Sequence, residues 1–113
     1  MHEISIVYDA IKIVEESSKI NNISKVTKVF MKIGEFTCIE ENSLRFAFEV
    51  LNKDTLCEGA VLEIKKSKGK EKCNVCNEEF FIDFTNRVCP KCSCYNNNII
   101  NGYEMLVYEI EVE

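Results

Sequence analysis

Cys73-Asn74-Val75-Cys76 and Cys89-Pro90-Lys91-Cys92 stand twelve residues apart in this chain. Each Cys-x-x-Cys pair sets two sulfurs on one side of a tight turn. Two such turns facing each other offer four thiolates in a tetrahedron, the donor set of closed structural Zn²⁺ sites. The spacing therefore predicts an ordered metal-bound loop over Cys73, Cys76, Cys89 and Cys92. Disulfides fit poorly, because seven cysteines is an odd count and Met1-His2-Glu3 begins nothing like a secretory leader.

Four thiolates fill a tetrahedron and leave no open position for water or substrate. Such a site orders a loop too small to fold alone, with apparent binding energies on the order of 10–16 kcal/mol. Iron is accepted by the same sulfurs, so a small iron–thiolate electron carrier is an alternative. The Cys89-Pro90-Lys91-Cys92 half resembles rubredoxins, but the short spacer and missing aromatic-glycine signature set it apart. Cys94, two residues past Cys92, competes as a ligand and reads better as a spare thiol. Cys38 and Cys57 have no histidine beside them in sequence and read as structural or surface residues.

Outward from the loop, 113 residues with 46% apolar content suffice for one modest core. A net charge of −5 argues against nucleic-acid binding, and no apolar run approaches a membrane span. The expectation is a soluble cytoplasmic protein. Lys65, Lys66, Lys68, Lys70 and Lys72 read as a solvated linker ahead of the loop, with docking to an acidic partner as the other reading.

Ile4, Val7, Ile11 and Val14, flanked by Tyr8 and Ala10, recur at spacings of three and four, which predicts a helix ending near Asn21-Asn22. From Val26 to Ile33 the period becomes two, a strand ended by Gly34. Leu44, Ala47, Phe48 and Leu51 restore the helical spacing. Its start is Thr37 in a capping box with Glu40, or else Asn42 or Ser43. Ala60, Leu62 and Ile64 predict a second strand, and Leu106, Tyr108, Ile110 and Val112 a third. Phe80, Phe81 and Ile82 are expected to cover the metal loop or its hairpin. The reading is α+β: two helices packed on a three-stranded sheet, with an inserted zinc-ribbon-like loop of four cysteines. Residues 1–66 and 103–113 form the body, and 67–102 the knuckle.

His2 is the only histidine, and it follows the terminal amine. The Met1 amine, the His2 amide nitrogen and the His2 imidazole can close two fused chelate rings on one ion. Nitrogen-rich planar chelation suits Ni²⁺ or Cu²⁺ better than Zn²⁺. A fourth position falls to the Glu3 amide or carboxylate, or to a group brought over by the fold. A histidine at position two also protects Met1 from removal, since that step requires a small second residue. The bland reading is a surface histidine in the first helical turn. No nucleophile–base pair is visible, so an enzyme is not expected.

Met1-His2-Glu3 opening a helix, the twin Cys-x-x-Cys loop and the short final strand together resemble the HypA family of hydrogenase nickel-incorporation proteins. Lys32-Ile33-Gly34-Glu35, Phe46-Ala47-Phe48-Glu49 and Gly102-Tyr103-Glu104-Met105 are similar to that family as well. The resemblance implies a nickel metallochaperone for the immature large subunit of a [NiFe]-hydrogenase, working with a HypB-type GTPase; related proteins also serve urease maturation. It implies His2 as the nickel ligand with the Met1 amine and Glu3 adjoining, an approach to the nickel by Glu40, and structural zinc on Cys73, Cys76, Cys89 and Cys92. A zinc-ribbon interaction or transcription-associated module is the other alternative.

Overall fold

The computed structural model describes residues 3–113. Val7, Ala10, Ile11 and Val14 form the buried stripe of α1 (Glu3–Ile20), and Asn22 turns the chain away with φ 57°. The stripe is narrower than its sequence suggests: Ile4 and Tyr8 point outward, whereas Ser18 is fully buried. Strand β1 (Val26–Gly34) buries Val29, Met31 and Ile33 on alternate positions, as period-two spacing dictates. A single 3-10 turn (Glu35–Thr37) leads to α2 (Glu41–Leu51), which buries Leu44, Ala47 and Phe48.

Neither expected start of α2 is used. The side chain of Glu40 caps the helix, accepting from the backbone N–H groups of Asn42 and Ser43. Thr37 instead donates its hydroxyl to the Gly34 carbonyl. Strand β2 (Val61–Ser67) buries Leu62, and β6 (Met105–Val112) ends the described chain's regular structure.

These elements assemble the expected α+β body, whose three-stranded sheet has the order β2-β1-β6. Helix α1 packs on α2 and on β6. Strand β6 is an edge, and its side chains stay half-exposed or exposed throughout. A second three-stranded sheet, order β4-β3-β5, is not visible in the sequence; it uses β3 (Lys70–Lys72), β4 (Glu79–Phe81) and β5 (Ile99–Asn101). Strands of three residues are too short for alternation to register. The lysine run is correspondingly no linker: it lies in β2 and β3, broken only at Lys68-Gly69, and Lys68 and Lys70 set their ammonium groups over the Phe81 ring.

The chain divides into two compact units. One takes the segment ending at Lys32 together with Ile39–Lys65 and Met105–Glu113; the other takes Ile33–Cys38 and Lys66–Glu104. In the second unit Phe36 is the apolar wedge. It joins Cys73, Phe80, Ile82 and Cys89 in one buried cluster. A Cβ on Gly69 would stand 2.3 Å from the Phe36 ring, so glycine there is a packing requirement. A Cβ on Gly34 would stand 2.1 Å from the Gly102 carbonyl oxygen, which excludes any side chain at that turn.

Candidate metal centres

The two cysteine turns are built alike. In the first, Cys73 N–H donates to Glu78 O at 2.8 Å, and Asn77 N–H donates back to Cys73 O at 3.0 Å. In the second, Cys89 N–H donates to Cys94 O at 2.9 Å, and Ser93 N–H donates to Cys89 O at 2.9 Å. Each turn closes through a residue at positive φ, Asn77 at 62° and Ser93 at 63°. Asparagine tolerates that region better than most residues. The repeated geometry presents two sulfurs per turn toward a common point.

The four sulfurs lie within 4.8 Å of one another. Cys73 Sγ and Cys92 Sγ are 3.5 Å apart, and Cys76 Sγ and Cys89 Sγ 3.6 Å. A tetrahedron with metal–sulfur bonds of about 2.3 Å has edges of about 3.8 Å, so the cage fits zinc. Cys73 and Cys89 are fully buried, and Cys76 and Cys92 half-buried. Phe80 and Ile82 roof the site, but Phe81, expected beside them, points out of the opposite face of β4.

The thiols divide the ionisation unequally. The Cys73 thiol is pulled down to about 6, first by the backbone N–H of Cys76 and then by Val75 N–H, the Cys92 thiol and the Asn96 side chain. For Cys76 the Glu78 N–H favours the thiolate, but desolvation and the Cys89 and Cys73 thiols outweigh it and raise the pKa. For Cys92 the Cys94 N–H lowers, while Cys73, desolvation and the Cys94 and Cys89 thiols raise it further. A cage that shares protons in this way suits a cation that replaces them.

The remaining cysteines stand apart. Cys94 is half-buried and lies outside the four-sulfur cluster, although its thiol reaches Cys92. Cys57 is fully buried, and desolvation pushes its thiol up to about 11. Cys38 is exposed, in the left-handed residue after the 3-10 turn.

Met1 and His2 lie outside the described residues. Glu3, the first residue of α1, accepts the backbone N–H of Glu40 on its Oε2 at 3.3 Å. Its own N–H and that of Glu40 hold its carboxyl below the usual range. The N-terminal ends of α1 and α2 thus meet in a surface cleft whose lining includes Glu3, Ser5, Glu40 and Ser43 together with the exposed Ile4 and Phe46. Sequence spacing could not pair Glu3 with Glu40, because the contact spans 37 positions. An ion pair between fully buried Glu71 and half-buried Arg87 is equally unexpected from sequence. A signal for it exists, since each of the two residues stands two positions ahead of a pair's first cysteine.

Fold and site together define a small α+β protein with a four-cysteine cage in one unit and an acidic helix-end cleft in the other. The family described as "Hydrogenase/urease nickel incorporation, metallochaperone, hypA" matches residues 1–112, and the chain belongs to it. Hydrogenase maturation factor HypA of Azotobacter chroococcum mcd 1 is 36% identical, and HybF of Proteus vulgaris 33%; both alignments cover the whole of each chain. The solution structure of the Ni metallochaperone HypA from Helicobacter pylori is similar with a TM-score of 0.72 at 32% identity, covering 99% of this chain and 97% of that one. A further HypA solution structure gives 0.75 at 31%. These relatives are named as maturation factors and a metallochaperone, not as enzymes. Among the described residues no helix is long and apolar enough to cross a membrane.

Proposed function

We propose that this protein carries Ni²⁺ to the immature large subunit of a [NiFe]-hydrogenase in the cytoplasm, in concert with a HypB-type GTPase, and that urease maturation proteins are further partners in hosts that have them. The observation that carries the proposal is the match along the whole chain to the nickel-incorporation family, together with a sole histidine at position two. Nickel is cargo, taken by the Met1 amine, the His2 amide and imidazole, and Glu3. The Glu3 carboxylate, fixed against the Glu40 N–H and kept anionic, supports this reading by placing negative charge where the chain end enters α1. Glu40 also caps α2, so any approach to nickel by its carboxylate competes with two backbone bonds.

Zinc is the resident metal of Cys73, Cys76, Cys89 and Cys92. Once bound it cross-links the two cysteine turns and supplies no reactive position. In this reading residues 1–66 and 103–113 are the nickel-binding body and 67–102 the zinc knuckle, with Ile33–Cys38 packed into the cysteine unit through Phe36. An amine–imidazole site with an open coordination position can pass its ion to a recipient protein, which a carrier requires and the closed cage does not permit.

Equilibrium nickel binding by the native chain, by His2→Ala and by a form extended at its N-terminus tests the proposal. Both altered forms are expected to lose at least ten-fold in affinity, because each removes a donor from the fused chelate. Native affinity in both would contradict it.

A further inference from the structure

Glu71 is fully buried in β3, between Phe80 of β4 and Ile99 of β5. Its Oε1 accepts from Arg87 Nε at 2.8 Å and also from Arg87 Nη2. Its Oε2 is buried with no hydrogen-bond partner among the described residues. A buried carboxylate with one unmet oxygen is a poor device for stability, since desolvation can exceed the Coulomb gain and apolar replacements of such pairs are often neutral or better. Its place in the fold points to another role.

Position supplies one. Glu71 stands two residues before Cys73, and Arg87 two residues before Cys89. The pair therefore ties together the two chain segments that enter the two cysteine turns. A second tie runs parallel to it. The Asn96 backbone N–H donates to Arg87 O at 3.3 Å, and Asn96 Oδ1 accepts from Asn74 N–H, inside the first turn, at 2.9 Å. Asn96 Nδ2 donates to Cys94 O at 3.0 Å, in the second turn. Arg87 Nη2 also reaches Asn97 Oδ1 at 3.3 Å, which gives the guanidinium a second anchor.

We infer that Glu71 and Arg87 are positioning residues for the four-cysteine cage: a strut that holds the two Cys-x-x-Cys turns at cage spacing in the metal-loaded protein, and so sets how slowly the metal leaves. The side-chain hydrogen bonds of the strut run between Arg87 and Glu71 and from Arg87 to Asn97, so it acts through the backbone of the two turns. Metal release from such a cage requires one turn to swing away from the other, and the strut resists that motion. The inference rests on the zinc reading of the cage.

The test compares the zinc-loaded native chain with Arg87→Lys and with the paired variant Glu71→Met/Arg87→Met. Three properties are read: thermal midpoint, rate of zinc transfer to a chromophoric chelator, and the visible ligand-field bands after cobalt replaces zinc. The paired variant is expected to melt near or above the native midpoint yet release zinc on the order of ten-fold faster, the low end for groups beyond the ligands. Its cobalt bands should shift, because the sulfur tetrahedron relaxes. Arg87→Lys keeps the charge and loses the planar fork, so it should release zinc several-fold faster with an unchanged midpoint. Native release rates and native cobalt bands in the paired variant would overturn the inference. If that variant does not fold, a native rate in Arg87→Lys does so alone. A native chain that holds neither zinc nor cobalt would instead overturn the zinc reading itself.

Discussion

The two units solve the same problem with different means. The helical unit buries Val7, Ile11, Val14, Val29, Met31, Leu44, Phe48 and Leu62, enough apolar surface to close a core by burial alone. The cysteine unit buries a cluster of five, two of which are cysteines, and adds an ion pair with an unmet oxygen. So small a unit sits near the size at which chains need metals or cross-links to fold. On our reading the difference teaches that metal serves as structure in one unit and as cargo in the other. A metal that must stay belongs where it replaces a core; a metal that must leave belongs where nothing else depends on it.

Removing zinc should break that contrast most visibly. With a chelator present, amide hydrogen exchange in Lys70–Lys72 and Glu79–Phe81 is expected to rise toward unfolded rates, while α1 residues Val7 to Val14 keep their protection. Uniform loss of protection across both units would contradict it. Leu44→Ala sharpens the contrast from the other side. Leu44 is 0% exposed, so its truncation should destabilise the helical unit by about 2–5 kcal/mol, seen as a lower thermal midpoint with zinc content unchanged.

A smaller effect follows from the thiols. At neutral pH the Cys73 proton, with a pKa lowered to about 6, is largely gone, whereas Cys76 and Cys92 are held above their ordinary value of 9.0 and keep theirs. Zinc binding at pH 7 must therefore expel protons from Cys76 and Cys92, and affinity should weaken as pH falls. Calorimetry in two buffers of different ionisation enthalpy reads that proton release directly; identical heats in both would rule it out.

Much of this architecture is legible in the sequence because the relevant signals are local. The α1 and α2 stripes, the alternation of β1 and β2 and the twin cysteine pairs each occupy one short window. What the sequence hides is non-local or too short. The second sheet rests on three-residue strands whose partners come from distant segments, Glu71 facing Phe80 on one side and Ile99 on the other. The Glu3–Glu40 contact and the Glu71–Arg87 pair join residues 37 and 16 positions apart, which no periodicity encodes. Phe81 departs from its expected place because in a strand its neighbours Phe80 and Ile82 face the core while it cannot, and the run of three apolar residues hides that alternation. The lysine run reads as a linker on composition, yet a strand's solvent face accepts lysine readily when its ammonium group lies over a ring, as that of Lys70 does over Phe81.

The claim at the centre of this account is that two metals occupy two independent sites, one exchangeable and one fixed. Metal analysis of nickel-loaded His2→Ala and Cys73→Ala, each set against the native chain after brief exposure to a mild chelator, tests it most directly. His2→Ala should lose nickel and keep its zinc, and Cys73→Ala should lose zinc and keep nickel binding. A single substitution that removes both metals, or nickel that follows the cysteines, would contradict the account.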